Sequence, residues 1–405
     1  MPGRTWVCGP SPDVLRVRWN RLIEAAPEHR PALLSEHPTD RTVRTVLRDN
    51  LPGYPARTRS LAEEKGPCPP PERIGYRSFD RQWIIPDKRL INRPNPSLWA
   101  ARSRWQVCLT APHDRTPSDG PAVTLTGLIP DLHHYHGRGG RVFPLWRDPD
   151  GAEPNVAPGL LDDLTRRCGA PVTRPDVLAY LAAVLAHPGF TARFAGDLVQ
   201  PGLRVPLTAD TQLFAEAVDA GRRVVWLHTY GQRFADPAAG RPARPPKLPA
   251  DRRPKVREAI PDTPEGMPDE IAYDPHTQQL RVGVGVVAPV PPGVWEYEVS
   301  GMRVVRKWFG YRKRDPEGRR SSPLDEVNAA WWEPEFTTEL LELLNVLALL
   351  VDLEPTQQDL LDRVLAAPLV TVGDLEAAGV LPVDSAARRP PRVAASGDAG
   401  LLQGT

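Results

Sequence analysis

Hydrophobic positions recur along the chain with two periods, and the switching between them predicts a mixture of modest helices and short strands. Spacings of three and four predict a helix with Leu15, Trp19, Leu22 and Ile23 on one face behind a cap at Asp13, and a second through Val43, Val46 and Leu47 behind Thr39 or Asp40. The same spacing predicts core helices between residues 158 and 220. Leu160, Leu161 and Leu164 form the first face. Val177, Leu178, Leu181, Val184 and Leu185 form the next, bracketed by Asp176 and His187-Pro188-Gly189, and Leu213, Phe214, Ala217 and Val218 form the last. A longer helix, capped at Thr337 or Thr338, turns Leu340, Leu343, Leu344, Leu347 and Leu350 inward. Strands are predicted at Gln106–Thr110, Ala122–Ile129, Arg223–Thr229, Gln279–Val287 and Val294–Val299, the last two paired across Pro291-Pro292-Gly293.

After Ser300-Gly301 the period changes to helical. Met302, Val304, Val305, Trp308, Phe309 and Tyr311 fall on one half of a wheel, and Arg303, Arg306, Lys307, Lys313 and Arg314 on the other. Arg312 falls inside the apolar half, where a guanidinium needs a carboxylate or carbonyls, so its role is structural.

Composition adds bounds. At 405 residues, 40% hydrophobic and 25% charged, the chain is long enough for two or three domains of an ordinary globular protein. Its 49 prolines point to long irregular connections. The expected fold is α+β, small mixed sheets with helical insertions. A helical N-terminal extension (1–65) would precede a first part (73–235), a Pro-rich charged linker (236–270), a second part (271–382) and a disordered tail (383–405). Gly66-Pro67-Cys68-Pro69-Pro70-Pro71 reads as a stiff connection after the extension.

Charge is uneven although the net is only +1. Residues 303–320 hold eight Lys or Arg against two acids, and residues 321–362 hold ten acids and no Lys or Arg. The basic face is either a DNA-facing surface or a solvated one. The block 241–257, with seven basic residues and one acid, reads first as a linker. The four cysteines form no CxxC pair, which excludes a zinc ribbon and a dense disulfide framework. Residues 1–20 lack the apolar core of a signal peptide, and the run Leu340–Leu353 is too short and too often interrupted to span a bilayer. Cytoplasm is the expected compartment, with no membrane role.

The stretch 128–146 concentrates candidate chemistry. His133, His134 and His136 raise the question of a metal, but neighbours on an extended chain face opposite ways and no HxxxH completes a site. A glycine-rich loop with Arg138 and Arg141 beside imidazoles suits phosphate or base-edge contacts. Gly137, Gly139 and Gly140 are not followed by Gly-Lys-Ser/Thr, so they make no nucleotide-phosphate loop. Asp80 with Arg77 or Arg81 reads as a buried ion pair.

Three separated groups carry a resemblance: Tyr76, Arg77, Phe79, Asp80 and Arg81; Phe143, Pro144 and Leu145; and Trp295, Tyr297, Gly301, Val304, Val305, Lys307, Trp308 and Arg312. In this order they resemble the C-terminal specificity region of adenine methyltransferases in Type ISP restriction-modification enzymes, over most of residues 73–382. The resemblance implies a target-recognition-domain-like fold and double-stranded DNA as partner. It implies structural roles for Tyr76, Asp80, Arg81, Trp295, Tyr297, Gly301, Trp308 and Arg312, and DNA contacts from Arg138, Arg141, His133, His134, Arg303, Arg306, Lys307, Lys313 and Arg314. It also implies a methyltransferase or restriction subunit as partner, which alone would hold S-adenosylmethionine. Neither the glycine-rich cofactor loop nor the Asn/Asp-Pro-Pro-aromatic loop of such methyltransferases is found; Asn95-Pro96-Ser97-Leu98 comes nearest and reads as a turn. The expectation is therefore a DNA-recognition component without its own methyltransferase, nuclease or metal site, separated from its catalytic modules. The alternatives are an adaptor that docks on a methyltransferase and touches DNA weakly, and an enzyme built on Asp131, His133 and His134.

Overall fold

The computed structural model describes residues 4–36, 41–113 and 115–391. Strand β1 (Cys8–Gly9) leads into helix α1 (Pro12–Glu24), where Ser11 accepts the Val14 N–H and Pro12 supplies the preset φ of a first turn. The cap is thus Ser11, and Asp13 lies inside the first turn. A short α2 (Arg30–Leu34) follows. The helix expected through Val43, Val46 and Leu47 is irregular chain with Val46 exposed, and its expected caps Thr39 and Asp40 lie outside the described residues.

Strands β2 (Glu72–Arg77) and β3 (Asp80–Ile84) form a hairpin, with β3 between β2 and β1. Its turn holds Phe79 at φ 64, a left-handed conformation that costs a bulky residue energy. The Tyr230 hydroxyl, donating to the Phe79 carbonyl at 2.6 Å, helps to pin it there. Trp6, Trp19, Leu51, Leu61, Ile74 and Ile84 share one core, so the residues before the Gly66–Pro71 stretch pack on the hairpin after it.

After α3 (Pro96–Ala100), an antiparallel sheet places β4 (Cys108–Pro112) between β5 (Thr124–Thr126) and the edge strand β6 (Gly140–Pro144). Three helices then form at the predicted places, α4 (Leu160–Cys168), α5 (Arg174–Leu185) and, after a short α6 (Pro188–Arg193) that starts where the stop of α5 was expected, α7 (Thr211–His228). Thr173 and Asp176 cap α5 reciprocally. The stretch Arg223–Thr229, expected as a strand, is the last third of α7 and its C-cap. Val224, Val225, Trp226 and Leu227 are buried all round, so no polar face reveals the helical period. Helices α5 and α7 approach so closely that a Cβ at Gly221 would collide with the Ala179 carbonyl oxygen.

A third sheet runs β7 (Lys255–Glu258), β10 (Gly285–Ala288), β9 (Gln279–Val282), β8 (Ile271–Asp274) in space. The single strand expected over Gln279–Val287 is thus the β9–β10 hairpin, which turns at Gly283 with Val284 exposed at its tip. Val294–Val299 is corrected as well. Pro291-Pro292 opens a helical turn, α8 (Pro292–Glu296), and only β11 (Glu298–Val299) is extended, paired with β12 (Met302–Arg303) about Ser300-Gly301. The basic helix α9 (Val304–Gly310) is only seven residues long and ends in a turn through Tyr311. Helix α10 (Pro334–Ala366) begins at Pro334, a turn before Thr337, and buries Leu340, Leu343, Leu344, Leu347 and Leu350 as predicted. After α11 (Val372–Ala377), part of the expected disordered tail is packed: Arg147 donates to the Ala387 and Arg389 carbonyls at 2.8 and 2.9 Å. Residues 392–405 lie outside the described residues. The fold is α+β, and among the described residues no helix is long and apolar enough to cross a membrane.

Candidate nucleic-acid interface

The wheel position of Arg312 places it inward, and its residue is 1% exposed. Nη2 meets Asp80 Oδ1 at 2.8 Å and Glu339 Oε2 at 3.2 Å, Nη1 donates to the Trp308 carbonyl at 2.9 Å, and the guanidinium lies 4.0 Å from the centre of the Trp308 ring. Two carboxylates, a carbonyl and an aromatic face replace the lost hydration. Asp80 therefore pairs with Arg312 and not with Arg77 or Arg81, because alternation along β3 turns Asp80 and Gln82 inward and Arg81 to the other face. Gln82 Nε2 donates to the second Asp80 oxygen at 2.8 Å. Glu339 also pairs with Arg73 of β2, while Arg81 pairs with Glu342 at 2.6 Å and covers the Tyr230 ring at 3.8 Å. The acidic helix thus neutralises Arg73, Arg81 and Arg312.

The loop before β6 is fastened to β2 and to the turn of that hairpin. The Asp131 N–H donates to the Gly75 carbonyl at 2.7 Å, the Ser78 N–H to the His134 carbonyl at 2.6 Å, and Asp131 Oδ1 accepts from His133 N at 2.8 Å and Arg77 Nη1 at 3.0 Å. His134 closes the loop from inside, with Nδ1 2.9 Å from Thr110 Oγ1 and its ring so near β2 that a Cβ at Gly75 would lie 2.9 Å from it. Burial, then Arg77 and His228, push its pKa down to about 3. His134 is therefore a neutral core group; the expectation that it contacts DNA is corrected by its burial. His133 and His136 are half-buried, and the described residues hold no group of three or more His, Cys, Asp or Glu placed to bind a metal ion.

Arg138 and Arg141 stand exposed, and no described residue pairs with either. Arg141 and Phe143 share the outward face of the edge strand β6, with Phe143 45% exposed.

The cations of α9 and its following turn are differently placed. Arg303 pairs with Glu296 and with Glu298 at 3.0 Å, and Lys307 and Lys313 reach Glu317 at 3.4 and 3.6 Å. Arg314 donates to the Glu265 and Met267 carbonyls at 2.8 and 3.0 Å, and Arg320 pairs with Asp315. Arg306 is exposed and lies over Trp295 at 4.5 Å. Trp295, Tyr297 and Trp308, expected to be structural, are buried beneath this surface, and Gly301 takes the φ of 78 that the β11–β12 turn needs.

Arg77 joins the two regions. Its guanidinium packs on Tyr76 at 4.0 Å, lies 6.0 Å from the ring of Tyr311 and holds Asp131, while Tyr76 and Tyr311 meet edge to face at 5.2 Å. Arg73, Tyr230 and Glu339 were not foreseen in these roles, since nothing local in sequence marks a partner hundreds of residues away.

The profile of the Type ISP C-terminal specificity domain matches residues 1–343. Among solved structures, the cryoEM structure of the DrdV–DNA complex is similar with a TM-score of 0.55 at 17% identity, over 90% of this chain and 34% of that one. The ATP-dependent Type ISP restriction-modification enzyme LlaBIII bound to DNA is similar with a TM-score of 0.53 at 11% identity, over 89% of this chain and 22% of that one. At these identities the likeness is one of fold, and this chain spans a minor part of either neighbour. No curated protein matches the chain.

Proposed function

The chain belongs to the Type ISP C-terminal specificity domain family, and from that premise we propose that it recognises a base sequence in double-stranded DNA for a restriction-modification system. The observation that carries the reading is the pair Arg138 and Arg141, exposed and without a partner among the described residues, on a loop and the edge strand β6 that follows it, the loop's base being fixed by Asp131, Arg77 and His134. Arginine forks match the O6 and N7 acceptors of guanine in the major groove, and an apolar side chain such as Phe143 suits the thymine methyl. Arg306 and Lys307 on α9 contribute contacts to the phosphate backbone, which set register without reading sequence. The reading is supported by the two structural neighbours, both of them complexes with DNA. Methyl transfer and cleavage are assigned to other modules or a partner subunit, which holds S-adenosylmethionine, and the site of action is the cytoplasm.

Selection from a random duplex library tests this. The folded chain should enrich one sequence, and Arg138→Ala with Arg141→Ala should abolish the enrichment while leaving weak binding to all duplexes. A folded wild-type chain that enriches nothing would overturn the proposal.

A further inference from the structure

The proline-rich block between Arg241 and Arg257 reads in sequence as a solvated connection, yet the fold holds it down. Leu248 is buried, its N–H donates to Asn345 Oδ1 of α10 at 2.8 Å, and its carbonyl accepts from Arg253 Nη2 at 2.9 Å. The Pro242 carbonyl accepts from Trp226 Nε1 at 2.9 Å, and a Cβ at Gly231 would collide with the Arg244 carbonyl. Arg252 pairs with Asp352 at 2.8 Å, and Arg241 turns inward to Asp236 at 3.2 Å.

Those anchors occupy Arg241, Arg252 and Arg253. Arg244, Lys247, Lys255 and Arg257 remain exposed, and their side chains meet no carboxylate, carbonyl or ring among the described residues. Arg244 and Lys247 line a groove of about 350 Å³ beside Trp226 and Pro242. Lys255 and Arg257 lie on the edge strand β7, whose four residues are all exposed, and the pairing with β10 shifts register between Val256 and Glu258, so that Arg257 stands in a bulge. In the segment after α9 every cation but Arg319 is paired, bonded or packed on a ring; here four are free on a backbone already ordered. Ordering a cation before binding lowers the entropic cost of using it.

We propose that this block is a second DNA-contact surface, in which Arg244, Lys247, Lys255 and Arg257 receive the phosphates of duplex DNA without reading its sequence. The inference rests on the reading of the chain as a DNA-recognition domain and adds the place where sequence-independent affinity resides. Charged edge strands also discourage pairing with other sheets, a role that gives no salt-dependent effect on DNA binding.

The full chain and a Lys247→Gln, Lys255→Gln, Arg257→Gln variant are titrated against the enriched duplex and a scrambled one across a series of salt concentrations. The slope of log affinity against log salt should fall by about 0.9 for each phosphate that the variant no longer neutralises, on both duplexes alike, with their affinity ratio kept. An unchanged slope in a variant that melts like wild type would overturn the inference alone. A wild-type chain that binds neither duplex overturns it together with the functional reading. Should the triple variant misfold, Lys247→Gln and Arg257→Gln singly carry the same test.

Discussion

In α9 and the residues that flank it, Arg303, Lys307, Lys313 and Arg314 each meet a carboxylate or a carbonyl, whereas Arg138 in the loop before β6 and Arg141 on β6 meet none among the described residues. The denser cluster in sequence is thus the more neutralised one in space. A surface cation already paired must exchange one partner for another on binding, so its net contribution is small; a free one releases counterions at full value. What the difference teaches is that the count of basic residues locates charge, and the positions of the acids around them decide whether it is available.

The largest expected effect lies beneath both regions. Arg312→Ala leaves Asp80 buried without its cation and Glu339 with Arg73 alone, and should cost about 3–5 kcal/mol, read from the midpoint of chemical denaturation. An unchanged midpoint would mean that the contrast between core and surface arginines is false.

Acid should loosen the base of the loop next. His134 and His228 are both pushed down from 6.5 to about 3, by burial first. Their folded pKa lies below the unfolded one, so between those values the unfolded chain binds more protons. Stability should be full above pH 6.5 and fall toward pH 3, by up to about 1.4 kcal/mol per pH unit for each histidine. Substituting Gln at His228 should flatten that fall in a pH series of melts; an equally steep fall would place its proton elsewhere.

Discrimination should respond third. Arg141→Ala is expected to reduce the preference for target over single-mismatch duplex by about 1–3 kcal/mol, with little change in stability because the side chain is exposed. Equal loss on all duplexes would make Arg141 a phosphate contact. The smallest effects belong to α9. Arg306→Ala should shift stability within about 0.5 kcal/mol, whereas Glu317→Gln should steepen the salt dependence by freeing Lys307 and Lys313. A slope that does not move would show that those lysines never face DNA.

The place of Arg312 was legible in sequence because a lone cation interrupts an apolar arc; its partners were not, since Asp80 lies 232 residues away and Glu339 27. The faces of α4 and α10 were legible for the same reason of periodicity. Where burial surrounds an element, the period vanishes, and the end of α7 reads as a strand. Where a turn falls in step with the alternation, as at Gly283-Val284, one strand hides two. In the loop, the residue types pointed to contact chemistry, but only the fold separates the exposed Arg138 and Arg141 from the buried His134 beside them.

The carboxylate of Glu339 reaches Arg73 across 266 residues of chain. At about 5–20 residues per second, that interval lasts about 10–50 s on a ribosome. Throughout it, Arg73, Asp80 and Arg81 lack the charges that later complete them, and the hairpin that carries them must stay hydrated. Loop closure of this length also slows the search for native contacts. The N-terminal half of the molecule is therefore sealed from without, by a helix translated long after it, and its maturation is timed by elongation as much as by its own folding.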